Sequence, residues 1–158
     1  SPDRTAVNLT NESLLELAEV PTIVGVKDSS GSIAQSLDLL ARKPADFSVL
    51  TGEDALFFTM MANGAEGGIL AASHVMTERF VEVIERFAAN DLAGARAAWA
   101  PLADVVPLLF AEANPMPIKY LLWRQGLIAS AECRLPLTRI SDGLARRLDA
   151  IVGERLAA

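Results

Sequence analysis

Apolar residues in this chain arrive in two alternating rhythms. Three short runs rich in β-favouring residues, Thr22 to Lys27, Phe47 to Thr51 and Gly67 to Ala71, are each followed by a stretch whose apolar residues recur three and four apart. Those helical stretches carry Ile33, Leu37, Leu40 and Ala41 after the first run and Ala55 to Ala62 after the second. After the third come Phe80, Val81, Ile84, Phe87 and Ala88. An earlier helix, with Leu14, Leu15, Leu17 and Ala18 as its stripe, is expected to start at a Thr10 or Asn11 cap and to end by Val20-Pro21. Lys43-Pro44 and Asn63-Gly64 close the later ones.

Strands separated by helices of this length need crossover connections, so the pattern predicts a parallel α/β sheet covered by helices. The near-continuous apolar character of "TIVGV" and "FSVL" agrees, because strands buried on both faces do not alternate. Beyond residue 90 the strand pattern stops. Leu92 to Glu112 reads as a helix that Pro101 and Pro107 should kink or break. "NPMPIKYLLWRQG" opens another, with Pro115 or Pro117 near its first turn and Gly126 at its end, and a last one runs from Ser141 to Val152. The organisation expected is an α/β portion over residues 1–90 and a helical extension over 91–158.

Composition narrows the function classes. With 158 residues, 51% hydrophobic and 22% charged, the chain can build a core. Its net charge of −6 and lack of a basic stripe argue against a nucleic-acid partner. No uninterrupted apolar run reaches membrane-spanning length and no secretory signature opens the chain, so the expected setting is cytoplasmic and free of membrane. Cys133 and His74 are the sole cysteine and histidine, too few for a histidine or cysteine metal cluster.

The chemistry concentrates on "TIVGVKDSSGS", residues 22–32, where an apolar strand ends on a lysine. In parallel α/β sheets ligands sit at the carboxyl ends of strands, which is where Lys27 falls, and Gly52 and Gly67-Gly68-Ile69 stand near the corresponding ends of the other two. A lysine walled by apolar side chains there would lose preference for its charged form and could attack a carbonyl. The bland alternative is a lysine that reaches solvent or pairs with Asp28. Only two other lysines exist, and Lys43 beside a loop proline and Lys119 in a helix read as structural. Gly52 can equally be a turn glycine, Ile69 simple core, and His74 a capping or surface residue.

These residues carry a family resemblance. "IVGVKDSSGS" resembles the Schiff-base segment of the dihydrodipicolinate synthase and N-acetylneuraminate lyase superfamily of class I aldolases. "LTGEDALFFTMMANGAEGGILAASHV" resembles that family's strand-seven and strand-eight region, "NPMPIKYLL" its N-P-x-P-[VI]-K helix start, and "CRLPLTRIS" its R-L-P-[LM]-T turn. "DRTAVNL" resembles the stretch after its fifth strand, usually R-T-G, with Ala6 in place of the glycine. The resemblance covers essentially the whole chain. It implies a (β/α)8 barrel of which these residues form the last three βα units and a C-terminal helical extension.

By the same resemblance Lys27 is the nucleophile that forms an imine with pyruvate, and no metal or organic cofactor is required. Arg4 receives the carboxylate of an aldehyde substrate, and backbone groups of Gly52 and Ile69 line the pyruvate pocket. Arg4 favours the synthase branch, in which the aldehyde is L-aspartate 4-semialdehyde and the product leads to lysine biosynthesis. The alternatives are an aldolase for 2-keto-3-deoxy sugar acids or 4-hydroxy-2-oxoacids and, in another class, a non-catalytic half-barrel serving assembly or binding. The family's proton-relay tyrosine and the threonine pair that holds pyruvate belong to an N-terminal half that this sequence lacks. Residues 1–158 are thus expected to be a fragment, inactive alone, of a homotetramer built from tight dimers; half of a split barrel and a stand-alone half-barrel are the other readings.

Overall fold

A computed structural model describes residues 2–155; the side chains of residues 3, 4 and 152–155 lie outside the described set. The elements are α1 (Pro2–Thr5), α2 (Asn11–Ala18), β1 (Gly25–Asp28), α3 (Ile33–Arg42), β2 (Ser48–Thr51), α4 (Phe57–Ala62), β3 (Gly67–Gly68), α5 (Thr77–Ala88), α6 (Leu92–Leu109), α7 (Met116–Arg124) and α8 (Asp142–Arg155). Two compact units emerge: residues 1–70 with 87–90, and residues 71–86 with 91–158.

The first unit holds a three-stranded parallel sheet in the order β1-β2-β3. Lys27 pairs with Leu50, and Leu50 with Gly67; Asp28 pairs with Thr51, and Thr51 with Gly68. The sequence run from Thr22 to Lys27 is shifted in the structure to Gly25–Asp28, so Asp28 and not Lys27 ends the strand. The frame is set by the partner, because the pairing starts where the Ser48 amide donates to the Val24 carbonyl. One face of the sheet is packed: Val49 and Thr51 are fully buried, and Leu14, Leu39, Phe47, Met60 and Ala65 join Val49 in a core. Helix α2 starts at Thr10, whose side chain accepts from the Ser13 amide, and α3 starts at Ser32, which accepts from the Gln35 amide.

The second unit is helical. Helix α6 buries Ala95, Ala98, Leu102, Val105, Val106 and Leu109, spaced three and four apart, and packs against α7 and α8. Of the kink or break expected at Pro101 and Pro107, there is no break: both lie inside one continuous helix. The carbonyls they leave without helical donors belong to Ala97 and Ala103, both exposed residues that water can satisfy. At 18 residues and a mean hydropathy of 1.2, α6 matches a membrane span by length and composition. It carries Arg96 and Asp104, however, and its apolar row is buried as in a core helix. In α5 the buried positions are Phe80 and Val83; Val81, placed on the apolar stripe by the sequence, is exposed.

Candidate active site

Side chains alternate across a strand, so the register sorts the sheet's residues by face. Val49, Thr51 and Asp28 point to the packed face, whereas Lys27, Leu50 and Gly67 form a row on the other. The ladder continues past the strands, because the Gly52 amide donates to the Asp28 carbonyl at 2.6 Å and the Ile69 amide to the Thr51 carbonyl at 2.9 Å. Ser29, Gly52 and Ile69 therefore make a second row, one step closer to the carboxyl ends than Lys27. Three sequence candidates, Lys27, Gly52 and Ile69, are thereby brought together on one face of one sheet.

Lys27 is exposed on this face, not walled by apolar side chains as the sequence suggested. Its Nζ has no hydrogen-bond or ion-pair partner among the described residues. Asp28, the alternative partner, is turned to the packed face, where Oδ1 accepts from the Ser30 amide at 2.9 Å and Oδ2 from the Ser36 hydroxyl at 2.5 Å. The other two lysines are committed. Lys43 Nζ lies 2.8 Å from Glu66 Oε1 and donates to the Phe47 carbonyl, and Lys119 Nζ donates to the Glu132 carbonyl.

Gly52 is glycine for reasons of space. Its φ lies outside the left-handed region occupied by Gly31, Gly64 and Gly126. A Cβ on it would fall on the Ser29 hydroxyl and stand 2.6 Å from Lys27 Cε. The lysine chain lies across this bare stretch of backbone. With the Gly52 and Ile69 amides committed to the ladder, their carbonyl oxygens and the exposed Ile69 side chain are what they can offer a ligand.

A cavity of about 420 Å³ opens beside β1, lined by Pro2, Thr5, Leu9, Lys27, Ser29 and Gln35 among others. Arg4 belongs to α1 in the adjoining segment, and its side chain lies outside the described residues. Ala6, next to that helix, has φ +55°, the left-handed conformation that glycine adopts without strain. His74 is exposed in a 3-10 turn of the second unit, Ala72–His74. Sequence reasoning treated Ser29 only as turn material; its signal was the two-residue spacing from Lys27, which places both on one face.

Comparison with known proteins agrees with this architecture. Residues 1–155 match the model of the dihydrodipicolinate synthetase family. The 4-hydroxy-tetrahydrodipicolinate synthase 2 of Clostridium acetobutylicum is 45% identical over 148 residues, which cover 94% of this chain and 52% of that protein. The dihydrodipicolinate synthase structure from Aquifex aeolicus superposes with a TM-score of 0.91 at 34% identity, over 98% of this chain and 53% of that one. The chloride-inhibited enzyme from Acinetobacter baumannii, complexed with pyruvate, gives 0.90 at 31% identity, over 97% and 52%. The chain thus spans about half the length of the relatives it matches, and its fold is that of the last three βα units of a (β/α)8 barrel with a C-terminal helical extension. On the family match and these likenesses together, the chain belongs to the dihydrodipicolinate synthetase family.

Proposed function

We propose that this chain supplies the Schiff-base lysine of a pyruvate-dependent class I aldolase, a carbon-carbon lyase, and that the complete barrel is a 4-hydroxy-tetrahydrodipicolinate synthase. The observation that carries this reading is the setting of Lys27, exposed at the ligand end of a parallel sheet with an amine that no described residue engages. In the reaction the neutral Nζ attacks the keto carbon of pyruvate, and the carbonyl oxygen leaves as water with two protons, giving an imine. Loss of a methyl proton turns the imine into an enamine, whose methylene carbon bonds to the aldehyde carbon of L-aspartate 4-semialdehyde. The imine is the electron sink, so this chemistry calls for neither metal nor organic cofactor.

The remaining roles follow in the same reading. Arg4 holds the carboxylate of the aldehyde through its guanidinium fork, and the Gly52 and Ile69 carbonyls line the pyruvate side. Residues 1–90 serve as part of the barrel wall and 91–158 as the helical extension. Exposed Val7, Leu9 and Ile69, with a β1 edge that no described strand covers, support a requirement for the N-terminal half of the barrel. The assembled enzyme is cytoplasmic and a tetramer of paired dimers.

Borohydride trapping tests the reading. In the complete barrel, pyruvate and borohydride should add one reduced pyruvate to the peptide containing Lys27, and none after Lys27→Ala or Lys27→Arg. An unlabelled Lys27 in the folded, complete enzyme overturns it.

A further inference from the structure

We infer that Ser29 is a positioning residue for Lys27: its hydroxyl accepts a hydrogen bond from the lysine amine and aims the nitrogen lone pair at the carbonyl carbon of a bound 2-oxo acid. This rests on the reading of Lys27 as nucleophile. The geometry comes from three independent features. Ser29 follows Lys27 by two residues and continues the same face of the sheet. The bare backbone of Gly52 leaves room for the Ser29 hydroxyl and for Cε of Lys27, both of which a Cβ at that position would overlap. Both side chains line one cavity, and neither makes a side-chain hydrogen bond among the described residues.

A neutral primary amine has two N–H bonds and one lone pair. Holding one N–H on a fixed acceptor restricts rotation about the terminal bond of a flexible chain and fixes where the lone pair points. No bond is made or broken at Ser29. A neutral hydroxyl suits the task, because a carboxylate in its place would favour the ammonium form, which has no lone pair to attack with.

The charged groups around Lys27 leave this place to Ser29. On β1, Asp28 is turned away with both oxygens occupied. On β2, the facing residues Ser48, Leu50 and Gly52 carry no charge, and Glu53 follows one residue beyond. On β3, Gly67 and Ile69 carry none, and the preceding Glu66 is bonded to Lys43 and to the Val49 amide. The segment along the cavity contributes Asp3 and Arg4, whose side chains are not described.

The test measures the rate of borohydride-trapped adduct on Lys27 against pH, in the complete barrel, for wild type and three variants. Ser29→Ala should slow imine formation about twofold to tenfold, the worth of one neutral hydrogen bond, with KM for pyruvate unchanged. Ser29→Thr should recover most of the rate. Ser29→Asp should move the rising limb of the pH profile upward by about one unit or more. A wild-type rate in Ser29→Ala, a threonine variant as slow as alanine, or an aspartate profile superposed on wild type would each overturn the inference while the labelled Lys27 upholds the aldolase reading. No label on wild-type Lys27 overturns both. If Ser29→Asp does not fold, the alanine and threonine pair decides alone.

Discussion

Ser36 donates its hydroxyl to Oδ2 of Asp28 at 2.5 Å, tying the first turn of α3 to the end of the strand that carries Lys27. The other oxygen of Asp28 takes the Ser30 amide, so one buried carboxylate joins the start of the serine-rich turn to α3. Asp28→Ala should leave the Ser30 amide without its acceptor and the Ser36 hydroxyl with only the Ser32 carbonyl at 3.1 Å, and lower the unfolding free energy of the complete barrel by about 1–3 kcal/mol in denaturant titrations. Asp28→Asn, which keeps the shape, should lose less. Unchanged stability in Asp28→Ala would remove the carboxylate from this role.

Gly52→Ala addresses the bare backbone beneath the lysine. The new methyl group must displace Ser29 or the lysine chain, and a displacement of about 1 Å costs up to about 100-fold in rate. Trapping should therefore slow by about 10–100-fold while circular dichroism and melting stay close to wild type. A normal trapping rate would show that Lys27 does not need the gap.

How much of this was legible in the sequence depends on how local each signal is. The place of Lys27 near the carboxyl end of its strand, a helix start at Thr10 or Asn11 and the succession of strands and helices are written in neighbouring residues and could be read directly. The exact frame of β1 could not, because it depends on where Ser48 starts β2, twenty-odd residues on. Nor could the reason for Gly52, which lies in its closeness to Ser29 and Lys27 across the sheet. The unbroken α6 hides for a related reason: proline penalties are local, but their outcome depends on which carbonyls face water. The replacement at Ala6 was legible as a departure from R-T-G, and its meaning only from the backbone angle.

Ala6→Gly should stabilise the chain. A left-handed alanine costs roughly 1–2 kcal/mol, and the larger unfolded-state entropy of glycine takes back about 0.5–1. A net gain of about 0.5–1 kcal/mol in the complete barrel should appear as a raised melting temperature. A lowered one would mean that the position is not strained.

Glu66 gives a pH dependence. Burial raises its pKa, but the hydrogen bonds from Lys43 and the Val49 amide, with the positive charge of Lys43 and Glu66's own backbone amide, outweigh this and hold it below the ordinary glutamate value. A carboxyl depressed in the folded state stabilises at pH above its unfolded value, near 4.3, and that contribution is lost as pH falls through the folded value. Glu66→Gln should therefore flatten the fall in stability below about pH 4.3 and cost stability at neutral pH. Parallel curves for variant and wild type would exclude the contribution.

Arg4→Ala separates substrate classes. Pyruvate trapping on Lys27 should persist, whereas kcat/KM for aspartate semialdehyde should fall by about one to two decades, the roughly 1.5–3 kcal/mol of a charged hydrogen bond. An unchanged specificity constant would strike Arg4 from the site, and a wild-type preference for longer hydroxylated aldehydes would favour a sugar-acid aldolase.

Clefts shaped by movable side chains must freeze those side chains into one rotamer whenever they work, and each freezing costs entropy. Beneath Lys27 the shape comes instead from the chain's own backbone at Gly52, clamped through its amide to Asp28 on one side and through Ile69 to Thr51 on the other. On the proposed reading of Lys27, the floor under its side chain is thus a property of the sheet, inherited at the moment the strands pair and as durable as their pairing.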